Sequence, residues 1–156
     1  MTTTQGSTAI DLVAPVSGRA VPLSAVADPA FSSGALGPGI AVIPDDGAVV
    51  APVSGTVVVA MPHAYGLMTD AGVEVLVHIG LDTVRLEGEH FVPRVEQGDR
   101  VAAGTLLATV DMDAVAGAGY DTTTIVVVTG WKSARDVVVL PADAVASGDV
   151  LVTVVV

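Results

Sequence analysis

Every apolar stretch of this chain is short. Each is soon interrupted by glycine, proline, aspartate or serine, as in Gly39-Ile-Ala-Val-Ile-Pro44 or Thr124 to Thr129. Valine and isoleucine lose rotamer freedom in helices and pack well on pleated surfaces, so short runs of them with such borders read as strands. None approaches the ~18 apolar residues of a membrane span. The hydrophobic fraction is 51 % against 15 % charged, in 156 residues. That suits one domain with a substantial core. The expectation is an all-β domain spanning residues 9–156, with short loops, behind a loose polar tail at residues 1–8.

The strands are organised by repetition. Ala14-Pro-Val-Ser-Gly18 returns as Ala51-Pro-Val-Ser-Gly55, each time before a β-prone run. Between Val95 and Val110, Gly98 and Gly104 frame a short strand, and a similar Gly-Asp-Val-Leu string recurs at Gly148 to Leu151. Repeated strand–turn units of this size indicate a sandwich or barrel with internal pseudo-symmetry. Ala25 to Ala35 reads as a loop holding at most a helical turn, with Phe31 as its one large apolar side chain. Asp111 to Tyr120 reads as a second short helical turn, limited by Gly117 and Gly119.

Charge excludes some functions. The formal net charge is −11, and the six basic residues are scattered. Nucleic acid binding needs clustered lysine and arginine, so it is not expected. The acidic surface serves solubility or steers a basic partner. The chain has no cysteine, which is compatible with a reducing compartment. Met1 to Thr8 lacks the positive and apolar regions of a secretory signal and cannot form a membrane-surface helix. The expected location is the cytoplasm, without direct membrane insertion.

Two of the three histidines flank one candidate hairpin. Thr69-Asp70-Ala71-Gly72 is a turn signal between two apolar-rich runs. With Asp70 and Ala71 as the central loop residues, Thr69 faces Gly72 and, counting outward, His63 faces His78. Opposed side chains lie ~4.5–5.5 Å apart at Cβ, close enough for the rings to share one small group. A bulge at Gly72 would slip this register by one residue. The pair is open to three readings: a surface pair, two ligands of a metal site with Asp82 as the nearby third candidate, or a nucleophile and its positioner.

The residues after His78 are more specific. Val77-His78-Ile-Gly-Leu-Asp-Thr-Val84, followed by Leu86-Glu-Gly-Glu and Phe91, resembles the signature of the glucose-family EIIA component. This is the phosphocarrier of the bacterial phosphoenolpyruvate-dependent sugar phosphotransferase system. The resemblance extends over roughly residues 9 to 156, through Ile10–Gly18, Gly39–Pro44, Val50–Gly55, the Gly98 and Gly104 turns and Thr124–Thr129. It implies a β-sandwich of the duplicated hybrid type with one or two short helical turns. It also implies His78 as the phosphohistidine, through Nε2, and His63 as the residue that steadies the phosphoryl group. The Gly80 carbonyl would hold the Nδ1–H tautomer, and Asp82 would tune transfer from beside the site. Phe31, Val59 and Val84 match an apolar docking face.

The implied activity is transfer from the histidine phosphocarrier protein HPr to a cysteine on the EIIB domain of a sugar permease, with regulatory target proteins as further partners. No cofactor is required. Zinc would enter only at a partner interface, with His63 and His78 supplying part of the ligand set. Met61 stands where the family often has a threonine, so a hydrogen bond to His63 is expected to be absent or replaced. His90 reads as a solvated side chain. A lipoyl or biotinyl carrier shares this kind of architecture but needs a lysine at a hairpin tip, and the lone Lys132 follows Trp131 without a flanking turn. A regulatory interaction module without phosphotransfer is the other alternative, against which the presence of both histidines argues. A zinc peptidase of related fold would need more histidines.

Overall fold

The computed structural model describes residues 9–129, 136–140 and 143–155. The expected tail at 1–8 and Lys132 lie outside them. Branched apolar runs become strands wherever a turn residue frees both ends. The largest sheet has eight strands in the order β13 (Ala144–Val145), β2 (Gly18–Pro22), β3 (Gly39–Pro44), β11 (Thr124–Val128), β7 (Glu74–Ile79), β6 (Ala64–Met68), β5 (Gly55–Met61) and β9 (Arg100–Val101). Two three-stranded sheets face it. One is β1 (Ala9–Val13), β14 (Val150–Val155) and β12 (Asp136–Val139); the other is β4 (Ala48–Val50), β10 (Leu106–Val110) and β8 (Phe91–Pro93). All pairings among the described residues are antiparallel.

Side-chain alternation divides the large sheet into two apolar faces. Ile40, Val42, Val75, Val77, Val126 and Val128 point inward, into the main core with Leu12, Val49, Leu107, Val152 and Val154 of the small sheets. Their neighbours Ala41, Ile125 and Val127 point outward, into a second cluster with Val26, Phe31 and Leu81. This second face is roofed by a 3-10 turn at Leu23–Ala25 and helix α1 (Pro29–Ser32). Asp28 caps α1 by accepting the Ala30 N–H at 2.9 Å, and Pro29 presets the first helical residue. A second short helix, α2 (Met112–Gly117), is capped by Asp111 in the same way.

The sequence repeat is a structural repeat. Val13 N–H donates to Pro52 O at 2.8 Å, and Val50 N–H donates to Pro15 O at 2.7 Å, so the two Ala-Pro-Val-Ser-Gly copies bond each other reciprocally. Each copy also takes the same bonds from one Gly-containing turn. Gly148 N–H reaches Ala14 O, while Gly104 N–H reaches Ala51 O. Ser17 Oγ accepts from Ser147 N–H, while Ser54 Oγ accepts from Ala103 N–H. Even the short pairs β2–β13 and β5–β9 correspond, Gly18 to Val145 and Gly55 to Val101. The fold is an all-β sandwich built twice over.

Candidate functional site

His78 lies near the end of β7, on the outer face, because Val75, Val77 and Ile79 take the inward positions. Its strand neighbours are Ala64 on β6 and Ile125 on β11. The expected direct opposition of His63 and His78 is therefore wrong by one residue. The hairpin loop has three residues, Asp70 to Gly72, closed by Thr69 N–H to Val73 O at 2.9 Å and Gly72 N–H to Thr69 O at 3.0 Å. Gly72 adopts φ +84°. That left-handed residue absorbs the extra position, as is usual in three-residue hairpins. His63, in the turn between β5 and β6, thus lies beside Ile79, whose N–H its carbonyl accepts at 2.7 Å. The turn still delivers its ring to His78: the centroids are 5.2 Å apart, edge to face.

The His78 ring is held from two further sides. Its Nδ1 lies 2.7 Å from the Gly80 carbonyl. A carbonyl only accepts, so Nδ1 carries the proton and the neutral ring keeps its Nε2 lone pair free. The Phe31 ring packs at 5.1 Å and a tilt of 56°. Phe31, which the resemblance matches to an apolar docking face, is only 4 % exposed, since α1 turns it down into the second cluster. What it offers is a wall behind His78. Val84, 58 % exposed, and the half-buried Val59 remain accessible, as does Met61 two residues before His63.

The surroundings lower the pKa of both imidazoles. Burial pushes His78 below its ordinary pKa, while the Gly80 hydrogen bond and the Asp28 and Asp82 carboxylates pull it partly back. Burial and the neighbouring His78 both lower His63, which is 9 % exposed. Among the described residues no hydrogen bond holds the His63 ring. Asp82 is exposed with φ +59° and, with Asp28, Ala27, Pro29 and Leu81, lines a depression of about 230 Å³. Asp28 was missed by the sequence reading. The signal was available, because Asp-Pro is a helix-start pair that would have placed its carboxylate at a cap. No cluster of three or more histidine or carboxylate side chains among the described residues could hold a metal ion. His90 is not freely solvated: its side chain is 28 % exposed, with Nε2 3.3 Å from Glu89 Oε1.

These features have close relatives. The glucose permease IIA from Mycoplasma capricolum is similar in structure, with a TM-score of 0.84 and 38 % identity over 94 % of this chain and 96 % of that one. The glucose-specific EIICBA component of the phosphotransferase system in Streptococcus pneumoniae is 51 % identical over 77 % of this chain and 17 % of its own length. The mannose-specific EIIBCA component of Corynebacterium glutamicum is 43 % identical over 93 % and 22 %. The chain thus spans about a fifth of the length of these curated relatives. The matches support the phosphotransferase reading and not the lipoyl or biotinyl carrier. The family model for the phosphoenolpyruvate-dependent sugar phosphotransferase system, EIIA 1, matches residues 10–134, and the chain belongs to that family.

Proposed function

We propose that this domain carries a phosphoryl group on His78 Nε2, received from phospho-HPr and delivered to the EIIB domain of a sugar permease. The observation that supports this most is the 2.7 Å contact between His78 Nδ1 and the Gly80 carbonyl. It leaves one nitrogen of a neutral, partly buried imidazole ready to attack. In the acceptance step the donor's nitrogen–phosphorus bond breaks as the His78 Nε2–phosphorus bond forms. The donor imidazole leaves with the electron pair. In delivery a thiolate on EIIB forms the sulfur–phosphorus bond and His78 takes its pair back. Little covalent work falls to the protein, so positioning and charge stabilisation carry both steps.

His63 is the second participant, its ring edge meeting His78 so that an N–H can donate to a phosphoryl oxygen. Asp82 and Asp28 repel a dianion and attract a basic donor surface, so they favour arrival of the partner over storage of the group. Val84, Val59 and Met61 form an apolar rim for the partner, on the cytoplasmic side of the membrane. No helix among the described residues is long and apolar enough to cross it. The reaction uses no cofactor. Two imidazoles form half of a tetrahedral zinc site, so zinc would bind only where a partner, such as a regulatory target protein, supplies the remaining ligands.

Incubation with phosphoenolpyruvate, enzyme I and HPr tests the proposal. Mass spectrometry should show the gain of one phosphoryl group, absent from His78→Ala. Labelling that survives this substitution overturns the assignment.

A further inference from the structure

The Gly80 carbonyl can hold His78 in one tautomer only if something holds Gly80. Gly80 has φ +78°. A backbone in that region is not self-supporting, since the following chain could leave in several directions. Two hydrogen bonds to a distant segment restrain it. Gly80 N–H donates to Thr123 O at 3.0 Å, and Leu81 N–H donates to Asp121 O at 2.9 Å. The approach is close: a Cβ on Gly80 would lie 2.8 Å from Asp121 O and 2.5 Å from the Thr83 methyl. Thr83 closes the near side, its hydroxyl donating to Ile79 O.

Residues 121–123 thus form a strap across the back of the histidine loop, and the strap has its own clasp. One oxygen of the Asp121 carboxylate, Oδ1, accepts from Thr123 N–H at 2.8 Å and from Thr123 Oγ1 at 2.6 Å. Those bonds fix the spacing between the two carbonyls that receive Gly80 and Leu81. Asp121 opens the segment leading into β11, so the clasp sits where the chain leaves its turn and enters the sheet.

We propose that Asp121 is a positioning residue for phosphoryl acceptance. Its carboxylate sets the strap, the strap sets Gly80, and Gly80 sets the His78 tautomer. The inference rests on His78 being the phosphoryl acceptor for its functional consequence, and on geometry alone for its structural one. An isolated Asx turn at a strand entrance would serve only to start the strand. Here both of its carbonyls are spent on the loop that carries the reacting ring.

The test has two arms on the intact domain. In the first, nitrogen-15 histidine spectra of the unphosphorylated protein report the His78 tautomer without any phosphoryl donor. The wild type shows the Nδ1–H form, Asp121→Ala shows a mixture of tautomers, and Asp121→Asn restores the wild-type pattern because its amide oxygen can replace Oδ1. In the second, the rate of phosphorylation from phospho-HPr falls roughly 10- to 100-fold in Asp121→Ala and recovers in Asp121→Asn. Thr123→Val removes one of the two clasp bonds and gives a smaller shift in the same direction, which keeps the test usable should Asp121→Ala fail to fold. A wild-type tautomer and rate in a folded Asp121→Ala overturn the inference, as does failure of Asn to restore either. If the wild type accepts no phosphoryl group, the functional reading fails while the tautomer arm still decides the positioning role.

Discussion

The two histidines touch, yet they are held in opposite ways. His78 sits in a cage: a strand partner on each side, a carbonyl on Nδ1, a phenyl ring behind, and a strap beneath Gly80 and Leu81. His63 sits in a turn, buried, with its backbone bonded to Ile79 but no hydrogen bond to its ring among the described residues. The difference suits the two roles proposed for them. An acceptor must present one lone pair in one direction, so its tautomer has to be fixed in advance. A residue that steadies a phosphoryl group as it arrives and leaves gains from being able to donate from either nitrogen. Met61, two residues before His63, carries no hydroxyl that could fix the ring.

The largest test of this contrast is Gly80→Ala. The new Cβ would meet Thr83 and the Asp121 carbonyl, and the left-handed backbone adds strain, so stability should fall by roughly 1–3 kcal/mol. Acceptance should fall with it, because the carbonyl leaves Nδ1. Thermal unfolding and phosphorylation rates check both; a folded, fully active variant would show that the cage is not needed. Next comes His63→Ala. Acceptance should continue while delivery to EIIB drops on the order of 10²-fold, the cost of one oriented donor. His63→Gln should recover part of the loss. Equal loss in both steps would remove the distinction between the two rings.

A smaller effect concerns charge. Protonated His78 has no lone pair to offer, so acceptance should rise with pH through the lowered His78 pKa and be level at neutral pH. Asp28 and Asp82 raise that pKa. Converting both to asparagine should therefore move the acid limb of the rate profile to lower pH. A shift toward higher pH would contradict the electrostatic account. The smallest effect is expected at the far end of the hairpin. Arg100 binds the Asp70 carboxylate through both Nη atoms at 2.7 Å, on the exposed surface. Exposed pairs contribute little. Arg100→Ala should leave phosphorylation unchanged, and a clear loss would mean that the loop geometry at Gly72 governs the site from a distance.

The hairpin shows where sequence reasoning reached its end. The turn at Thr69–Gly72 and the two flanking strands were legible, because glycine and aspartate mark turns through local backbone preferences. The register was not, because a two-residue loop at Asp70–Ala71 and a three-residue loop ending in a left-handed Gly72 both answer to the same turn signal. That choice set Ala64 opposite His78 and His63 beside Ile79 without separating the rings. Phe31 was legible as a large apolar side chain near the site. Its burial was not, since only the sheet's second apolar face gives it somewhere to go.

What the sequence alone determined rests on short-range chemistry and on resemblance. Valine runs with turn borders marked the strands, the two Ala-Pro-Val-Ser-Gly copies marked the duplication, and the residues after His78 marked the family. What only the tertiary structure decided are meetings between distant segments: Asp28 and Phe31 closing on His78, Pro15 and Pro52 bonding each other's repeats, and Asp121 reaching under Gly80. Such contacts depend on how strands are ordered and registered in the sheet, and strand order is a property of the whole packed chain. No window of residues around either histidine contains it.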